Sequence, residues 1–478
     1  MAKSRPVQRP VVFDIGIDRS DREPLQSQIA REIRAAVLSG RLRPQSKLPS
    51  TRALSNDLSV ARATVVEAYE QLQGEGYVET RGGAATRIAA ELPDALLAVP
   101  KPKAGARPMQ IRAERQRDPA RPFRAGLVDY ANFPHDQWGR ILGRVWRNPP
   151  IHLLEQRSVF GLPELRLAVA RHLYEWRGIS CDAAQVIVTA GGADAFDLIR
   201  RACLRSGQKI WIEDPAYPTA RRIFGQGGVT PVAVPVDGEG LVVARGRALA
   251  ETAKAAFVTP ARQYPTGVTM PVARRLELLA WAKTNDALIV EDDYDSEFRY
   301  VGRPLPALST LDTLARVVYS GSFSKVFSPL VRLGYLVVPP AMTDAFAEAR
   351  RQHDAQVSVM AQPALAEFME SGAFAVHIRR MRRIYAARRA VLIEVLKPGE
   401  GKLYEIEASP AGLMLMLRLP QGRDDEVISA KLLKQGIETT PLSPHYAKRP
   451  GKPGLLLSFA GFTESDLRAS AAELMAAL

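Results

Sequence analysis

The turn Ser322-Phe323-Ser324-Lys325 lies between apolar runs in YSGSFSKVFSPLVRLGY, with Arg332 a short distance beyond. A lysine amine is a nucleophile toward aldehydes, and hydroxyls beside an arginine suit a phosphate. Alone, the pattern is an ordinary solvated loop. Pyridoxal 5′-phosphate, an aldehyde that carries a phosphate, needs such a lysine for a Schiff base. It also needs an acid beside its pyridine nitrogen, further phosphate donors and an aromatic against its ring. Each has a candidate elsewhere in the chain. In ALIVEDDYDSEFRY, Asp292 ends an apolar run, and its carboxylate would keep a pyridine nitrogen protonated. Tyr294 follows and would bond the ring oxygen. In VTAGGADAFDLIRRA a strand pattern passes through Gly191 and Gly192 into a helix, leaving N–H groups at its positive end. Tyr217 in WIEDPAYPTARRIF supplies the aromatic. Taken singly, these are an acidic loop, a common strand-to-helix turn and ordinary packing.

The elements that must position them alternate. From about residue 125, helical periodicity alternates with the short apolar runs QVIVTA, KIWIED, AAFVTP, ALIVED, RVVYSG and GYLVVP. Strands alternating with helices predict an α/β fold, a largely parallel sheet covered on both faces. Open sheets of this kind bind ligands at the carboxyl ends of their strands, where Asp292 falls. After residue 340 the helical patterns lengthen, followed by GLMLMLRLP and GLLLSFA, which predict a smaller α+β subdomain.

The N-terminal region has a different character. Leu25, Ile29, Ile33 and Val37 form one apolar helical stripe after Pro24. Ser50 would cap a second helix with Leu54 and Leu58 inward. A third would bury Val65, Ala68 or Tyr69, and Leu72, and end near Gly74–Gly76. GYVETRGGAATRIA predicts two short strands about a Gly-Gly turn. Three helices and a hairpin make a winged helix-turn-helix, whose recognition helix would present Arg62 and Thr64, supported by Arg52. Residues 91–124 are rich in Pro, Ala and charge without a period, and predict a linker. The formal charge is +14, and residues 1–125 hold 22 Lys+Arg against 14 Asp+Glu. An electropositive head suits a polyanionic partner, although a solvated basic face gives the same count. Two cysteines, Cys181 and Cys203, make no disulfide framework and predict buried thiols in a reducing compartment. With neither a signal peptide nor an apolar run of about 20 residues, the chain is expected in the cytoplasm. The histidines lack metal spacing, and Trp138, Trp146, Trp176, Trp211 and Trp281 are assigned to the core.

LPSTRALSNDLSVARATVVEAYEQLQGEGYVETR resembles the GntR family of bacterial regulators over residues 15–90. The resemblance implies that Ser50, Arg52, Arg62 and Thr64 contact double-stranded DNA. Where that family usually has Gly and Ser, this chain has Ser59 and Ala61. Residues 125–478 resemble the fold-type I aminotransferases. That likeness places Gly192 and Ala193 on the cofactor phosphate, Tyr217 on its ring face, Asp292 on its pyridine nitrogen and Tyr294 on its ring oxygen. Lys325 falls on the Schiff-base lysine, and Ser322, Ser324 and Arg332 on the phosphate. A GntR-like head on an aminotransferase-like body is the arrangement of the MocR subfamily. It implies a homodimeric, pyridoxal-phosphate-dependent transcription regulator, responding at Lys325 to an amine, an amino acid or the cofactor itself. The alternatives are an active aminotransferase with an attached DNA module, and a DNA-binding protein on an inert scaffold. Two departures make efficient turnover doubtful and leave weak or partial transamination at most. The enzymes' Asn-Pro-Thr-Gly motif is Tyr264-Pro265-Thr266-Gly267 here, and their carboxylate-binding arginine would fall near Leu456, with Arg449, Lys448 or an arginine from elsewhere in the chain as unassigned substitutes.

Overall fold

The computed structural model describes residues 15–21, 23–80, 85–92, 121–155, 158–302, 306–353, 357–448 and 451–478. It divides into two units, Met1–Glu114 and Arg115–Leu478.

In the first unit, α1 (Leu25–Leu38), α2 (Thr51–Asp57) and α3 (Arg62–Gly74) are followed by strands β1 (Val78–Glu79) and β2 (Arg87–Ile88). The stripe predicted on α1 closes over α3: Ile29, Ile33, Val65, Ala68 and Leu72 are fully buried. Both Ala68 and Tyr69 are inside, while Leu58 is only half-buried at the edge of the core. Ser50 caps α2 by accepting a hydrogen bond from the Ala53 N–H at 3.1 Å. Ala61 begins α3 with no side-chain cap, as its methyl group requires. Ser59, in the Gly position of the related motif, takes a left-handed backbone with φ 52°. The strands pair antiparallel, Val78 with Ile88 and Glu79 with Arg87, forming the wing. The predicted Gly-Gly turn, and most of the predicted linker, lie outside the described residues.

The second unit holds an eight-stranded sheet. Its strands in chain order are β3 (Val186–Thr189), β4 (Lys209–Asp214), β5 (Thr230–Asp237), β6 (Gly240–Leu241), β7 (Ala255–Val258), β8 (Leu288–Asp293), β9 (Val317–Ser322) and β10 (Gly334–Val337). They lie side by side in the order β3-β10-β9-β8-β7-β4-β5-β6. All six predicted strands are present. The run β9-β8-β7-β4-β5 is parallel, and β10 enters antiparallel to both neighbours. The alternation of side chains fills both faces. Ile210, Ile212, Phe257 and Val290 pack into one buried cluster, and Trp211, Ala256, Val258 and Ile289 into another. In the second cluster Trp211 and Trp281 stack with ring centroids 3.8 Å apart, and Trp211 Nε1 donates to Ala250 O. These are the two fully buried tryptophans. Trp138, Trp146 and Trp176 are half-buried, as are Cys181 and Cys203.

The smaller subdomain is a four-stranded antiparallel sheet, β11 (Glu405–Glu407), β12 (Met414–Arg418), β13 (Thr440–Pro441) and β14 (Gly454–Ser458), ordered β11-β12-β14-β13. It packs with the long helix Ala373–Leu396 and the terminal helix Glu464–Ala477. The described end of the predicted linker is stitched to this sheet: Phe123 is fully buried, and its carbonyl accepts from Ser458 N at 3.2 Å.

Truncating Trp281 removes one half of a buried aromatic stack, and such changes cost about 3–5 kcal/mol. Trp281→Ala should therefore lower the urea midpoint of the transition belonging to the second unit. The transition of the winged helix-turn-helix should stay in place, and far-UV dichroism across the titration separates the two.

Candidate functional site

The carboxyl ends of β4, β7, β8 and β9, and that of β3 across the antiparallel β10, deliver the candidate residues to one edge of the sheet. Beyond β3 the chain turns at Gly191, whose φ of 99° excludes a side chain without strain, and enters the helix Gly192–Cys203. Among the described residues, the N–H groups of Gly192 and Ala193 have no protein acceptor. Beyond β9, Ser322 caps the short helix Phe323–Val326 by accepting from Ser324 N at 3.2 Å. That helix carries Lys325. Gly321, just before it, admits no Cβ because the Tyr335 ring would lie 2.3 Å away. Arg332 is exposed, takes a left-handed backbone with φ 51°, and has no partner among the described residues.

Asp292 faces Ser320 across the β8–β9 register, and Ser320 Oγ donates to its carboxylate at 3.2 Å. Burial pushes the Asp292 carboxyl up to about 7; nearby Asp293, Asp295 and Glu213 push the same way, against the serine hydrogen bond. Burial also lowers the Lys325 amine, opposed only by Asp295. The closest acceptor recorded for Lys325 Nζ is Gly126 O, a long 3.5 Å. A lysine whose hold on its proton is weakened and whose amine is loosely tethered suits addition to an aldehyde.

The aromatic wall is more elaborate than the motifs imply. Tyr264, after β7, meets Tyr217 edge-to-face at 5.6 Å and Tyr294 at 5.8 Å. Its hydroxyl lies 3.3 Å from His445 Nε2, and His445 Nδ1 lies 3.3 Å from Leu442 O. That pairing assigns the ring proton to Nδ1 and makes Nε2 the acceptor of the tyrosine O–H. Arg262 stands behind Tyr294: Nη1 donates to the tyrosine oxygen at 2.7 Å and to Asp295 Oδ2 at 3.1 Å. Around Leu456 the side chains are as apolar as the sequence implies, with Leu455, Leu456 and Leu457 all buried. Lys448 is exposed, and Arg449 lies outside the described residues.

Lys325, Asp292, Tyr294, Tyr217, Gly192, Ala193, Ser322 and Ser324 thus border one sheet edge, with Arg332 nearby. Arg262, Ser320, Tyr264 and His445 join them without having been singled out as members of the site. The donor set fits a phosphorylated pyridine aldehyde. The two helix N–H groups, the Ser324 hydroxyl and the Arg332 guanidinium lack acceptors among the described residues, which a phosphate would supply. A carboxyl held near neutral ionises when a pyridinium comes beside it.

In the first unit, Ser50, Arg52 and Arg62 are exposed and Thr64 is half-buried at the start of α3. Arg62 Nε donates to Thr51 Oγ1 at 3.4 Å, which brings the start of α3 against the start of α2. The four residues form one edge.

Comparison with known proteins agrees with both halves. Residues 25–88 match the gntR family of bacterial regulatory proteins. Residues 155–474 match aminotransferase class I and II. The probable rhizopine catabolism regulatory protein MocR of Rhizobium meliloti is 35% identical over 462 residues, 95% of this chain and 93% of that protein. The chain belongs to the MocR subfamily of GntR-type transcription regulators. A second subfamily relative, the HTH-type pyridoxine biosynthesis transcriptional regulator PdxR of Corynebacterium glutamicum, is 35% identical over 97% of this chain and 98% of its own. The body is similar to Pyrococcus horikoshii kynurenine aminotransferase, solved in complex with PMP. The identity is 28% and the TM-score 0.69, covering 74% of this chain and 89% of that one. The cofactor of the aminotransferase-like domain is pyridoxal 5′-phosphate.

Two outcomes follow from this geometry. An acid whose folded pKa is raised binds a proton that the unfolded chain has released, so it removes stability as pH rises between the two values. In cofactor-free protein, Asp292→Asn should therefore raise the melting temperature by an amount that grows from about pH 4 and levels off above about pH 7. A constant difference across that range would mean that Asp292 is ionised throughout. In the head, Arg62→Ala should weaken binding to the cognate operator by about 1–3 kcal/mol if the arginine reads a base edge. Gel-shift titration at fixed salt measures this, and unchanged affinity would move the recognition surface elsewhere.

Proposed function

We propose that this regulator reports occupancy of its aminotransferase-like site by pyridoxal 5′-phosphate to DNA-binding heads. Residues 15–90 form each head, residues 91–124 the connection and residues 125–478 the sensor. The protein works as a homodimer in the cytoplasm and reads paired half-sites.

The observation that carries the choice of effector is the distribution of cations. An amino-acid ligand needs a fixed cation for its carboxylate, because orientation governs any proton transfer at its α-carbon. Arg332 and the free N–H groups are suited to the phosphate. Arg262 is buried against Asp295 and Tyr294. At the position where the enzymes carry their arginine, the chain has buried Leu456. The cofactor itself matches the donors present. A relative named as a regulator of pyridoxine biosynthesis supports the same class of signal.

Within the site, each side chain has a definite task. Lys325 supplies the amine, and burial weakens its hold on the proton. Asp292 would hold a proton on the pyridine nitrogen, with Ser320 orienting its carboxylate. Gly192, Ala193, Ser322, Ser324 and Arg332 would bind the phosphate. Tyr217 and Tyr264 wall the ring, and Tyr294, braced by Arg262, would bond its ring oxygen. When bound, the cofactor supplies an aldehyde carbon and an electron-withdrawing ring. Ser50, Arg52, Arg62 and Thr64 contact DNA.

Titrating the full-length protein with pyridoxal 5′-phosphate while following operator binding tests the reading. The expected result is a several-fold change in DNA affinity, since coupling of this kind is typically 1–3 kcal/mol. Lys325→Ala should lose both that response and the visible absorbance of lysine-bound cofactor while its heads remain folded. A wild-type protein that binds cofactor without any change in DNA affinity would overturn it. So would release of keto acid from added amino acids at enzymatic rates, which would make the body a working aminotransferase.

A further inference from the structure

Glu213, the penultimate residue of β4, touches none of the residues assigned above to cofactor atoms, yet it is a buried carboxylate at the centre of the pocket's supporting structure. Its side chain is 1% exposed. Oε2 accepts three hydrogen bonds: from Thr259 Oγ1 at 2.7 Å, Thr259 N at 3.2 Å and Gln263 Nε2 at 3.2 Å. Oε1 has no partner.

Those donors lead to the aromatic wall by short routes. Thr259 Oγ1, while donating to Glu213, accepts from Tyr264 N at 2.9 Å. Gln263 Nε2 also donates to Tyr264 O at 2.7 Å and to Pro215 O at 2.8 Å, two residues before Tyr217. Gln263 Oε1 accepts from Thr266 Oγ1 at 2.6 Å and from Thr266 N at 3.1 Å. One carboxylate therefore bonds the two side chains that hold the loop carrying Tyr264 and tie it to the loop carrying Tyr217. The loops belong to different strands, and their tyrosines meet each other at 5.6 Å.

We infer that Glu213 is the positioning residue of the cofactor pocket, setting where the Tyr217–Tyr264 wall stands. This deepens the proposal that the site holds pyridoxal 5′-phosphate and rests on it. Removing this buried acceptor strands both Thr259 donors and leaves Gln263 Nε2 only its backbone acceptors, and stranded donors at buried positions move or recruit water. Burial pushes the Glu213 carboxyl up to about 7, against its hydrogen bonds from Thr259 and Gln263. Its bonds all fall on Oε2, so a neutral side chain with one acceptor oxygen reproduces them.

The contrast between Glu213→Gln and Glu213→Ala tests the inference in the full-length protein with pyridoxal 5′-phosphate as the probe. Glutamine keeps an acceptor toward Thr259 and Gln263 and places its amide where Oε1 already has no partner. We expect Glu213→Gln to keep the wild-type dissociation constant within about threefold, which is about 0.7 kcal/mol. Glu213→Ala should weaken it at least tenfold. At saturating cofactor it should also change the visible circular dichroism band, which reports how the ring sits against its aromatic neighbours. Should the alanine variant fail to fold, Gln263→Leu takes its place: it severs the tie to Pro215 and should alter the same band. A folded Glu213→Ala or Gln263→Leu protein with wild-type affinity and an unchanged band would overturn the inference. So would a Glu213→Gln protein as impaired as the alanine variant. None of these readings involves DNA, so a failure of cofactor binding to change operator affinity would count against the proposed function alone.

Discussion

The parallel register of β4, β7, β8 and β9 is the constraint on which the site depends. These strands run the same way, so their carboxyl ends come out on one edge. Whatever follows each strand is delivered there: Tyr217 after β4, Tyr264 after β7, Tyr294 after β8 and Lys325 after β9. Hydrogen bonding across the ladder places Asp292 beside Ser320, and a one-residue slip would turn both to the opposite face. The apolar alternation that fixes the register is the one that buries Trp211 on one side and Ile210 and Ile212 on the other. Core and chemistry are thus written on alternate positions of the same strands. On β8 the division is finest: Asp292 bonds Ser320, while Asp293 accepts from Tyr319 and pairs with Arg177 at 2.8 Å.

Burial then gives those groups their chemical character. A carboxyl enclosed by apolar strands and other acids stays protonated until a cation approaches it, and an enclosed amine gives up its proton. The same enclosure shifts Asp292 and Lys325 in opposite directions, the carboxyl up to about 7 and the amine down from its ordinary value. A pocket built in this way accepts a pyridinium and an aldehyde together. Arg262 satisfies Asp295 and Tyr294 at once, so a further buried carboxylate stands close to the site with its charge paired.

Much of this was legible along the chain because the information was local. Six apolar runs became six strands, and the candidate site residues fall at or just beyond the carboxyl ends of four of them. The helix stripe on α1 and the Ser50 cap needed only neighbours within a few positions. What escaped was non-local. Strand β5 carries Pro231 and Pro235, which argue against a strand, and it is admitted because it pairs with β4 and the two-residue β6 toward the sheet's end. Ser320 is 28 positions from the carboxylate it serves, Thr259 46 from Glu213, and Tyr264 181 from His445. No spacing rule links such pairs, and only closure of the sheet brings them together. The antiparallel entry of β10 was hidden for the same reason, since an apolar run carries no sign of its direction.

Arg332 shows what such a site demands of the backbone around it. A side chain in the left-handed region carries a conformational penalty of about 1–2 kcal/mol that glycine would not. Only a residue other than glycine can bring a guanidinium there. The fold therefore bears a local strain that, under the proposed phosphate-binding role of Arg332, is offset when an anion arrives. For this position stability and ligand affinity are opposed quantities. Selection for a more robust empty fold would replace the arginine by glycine, and selection for a receptor would retain it.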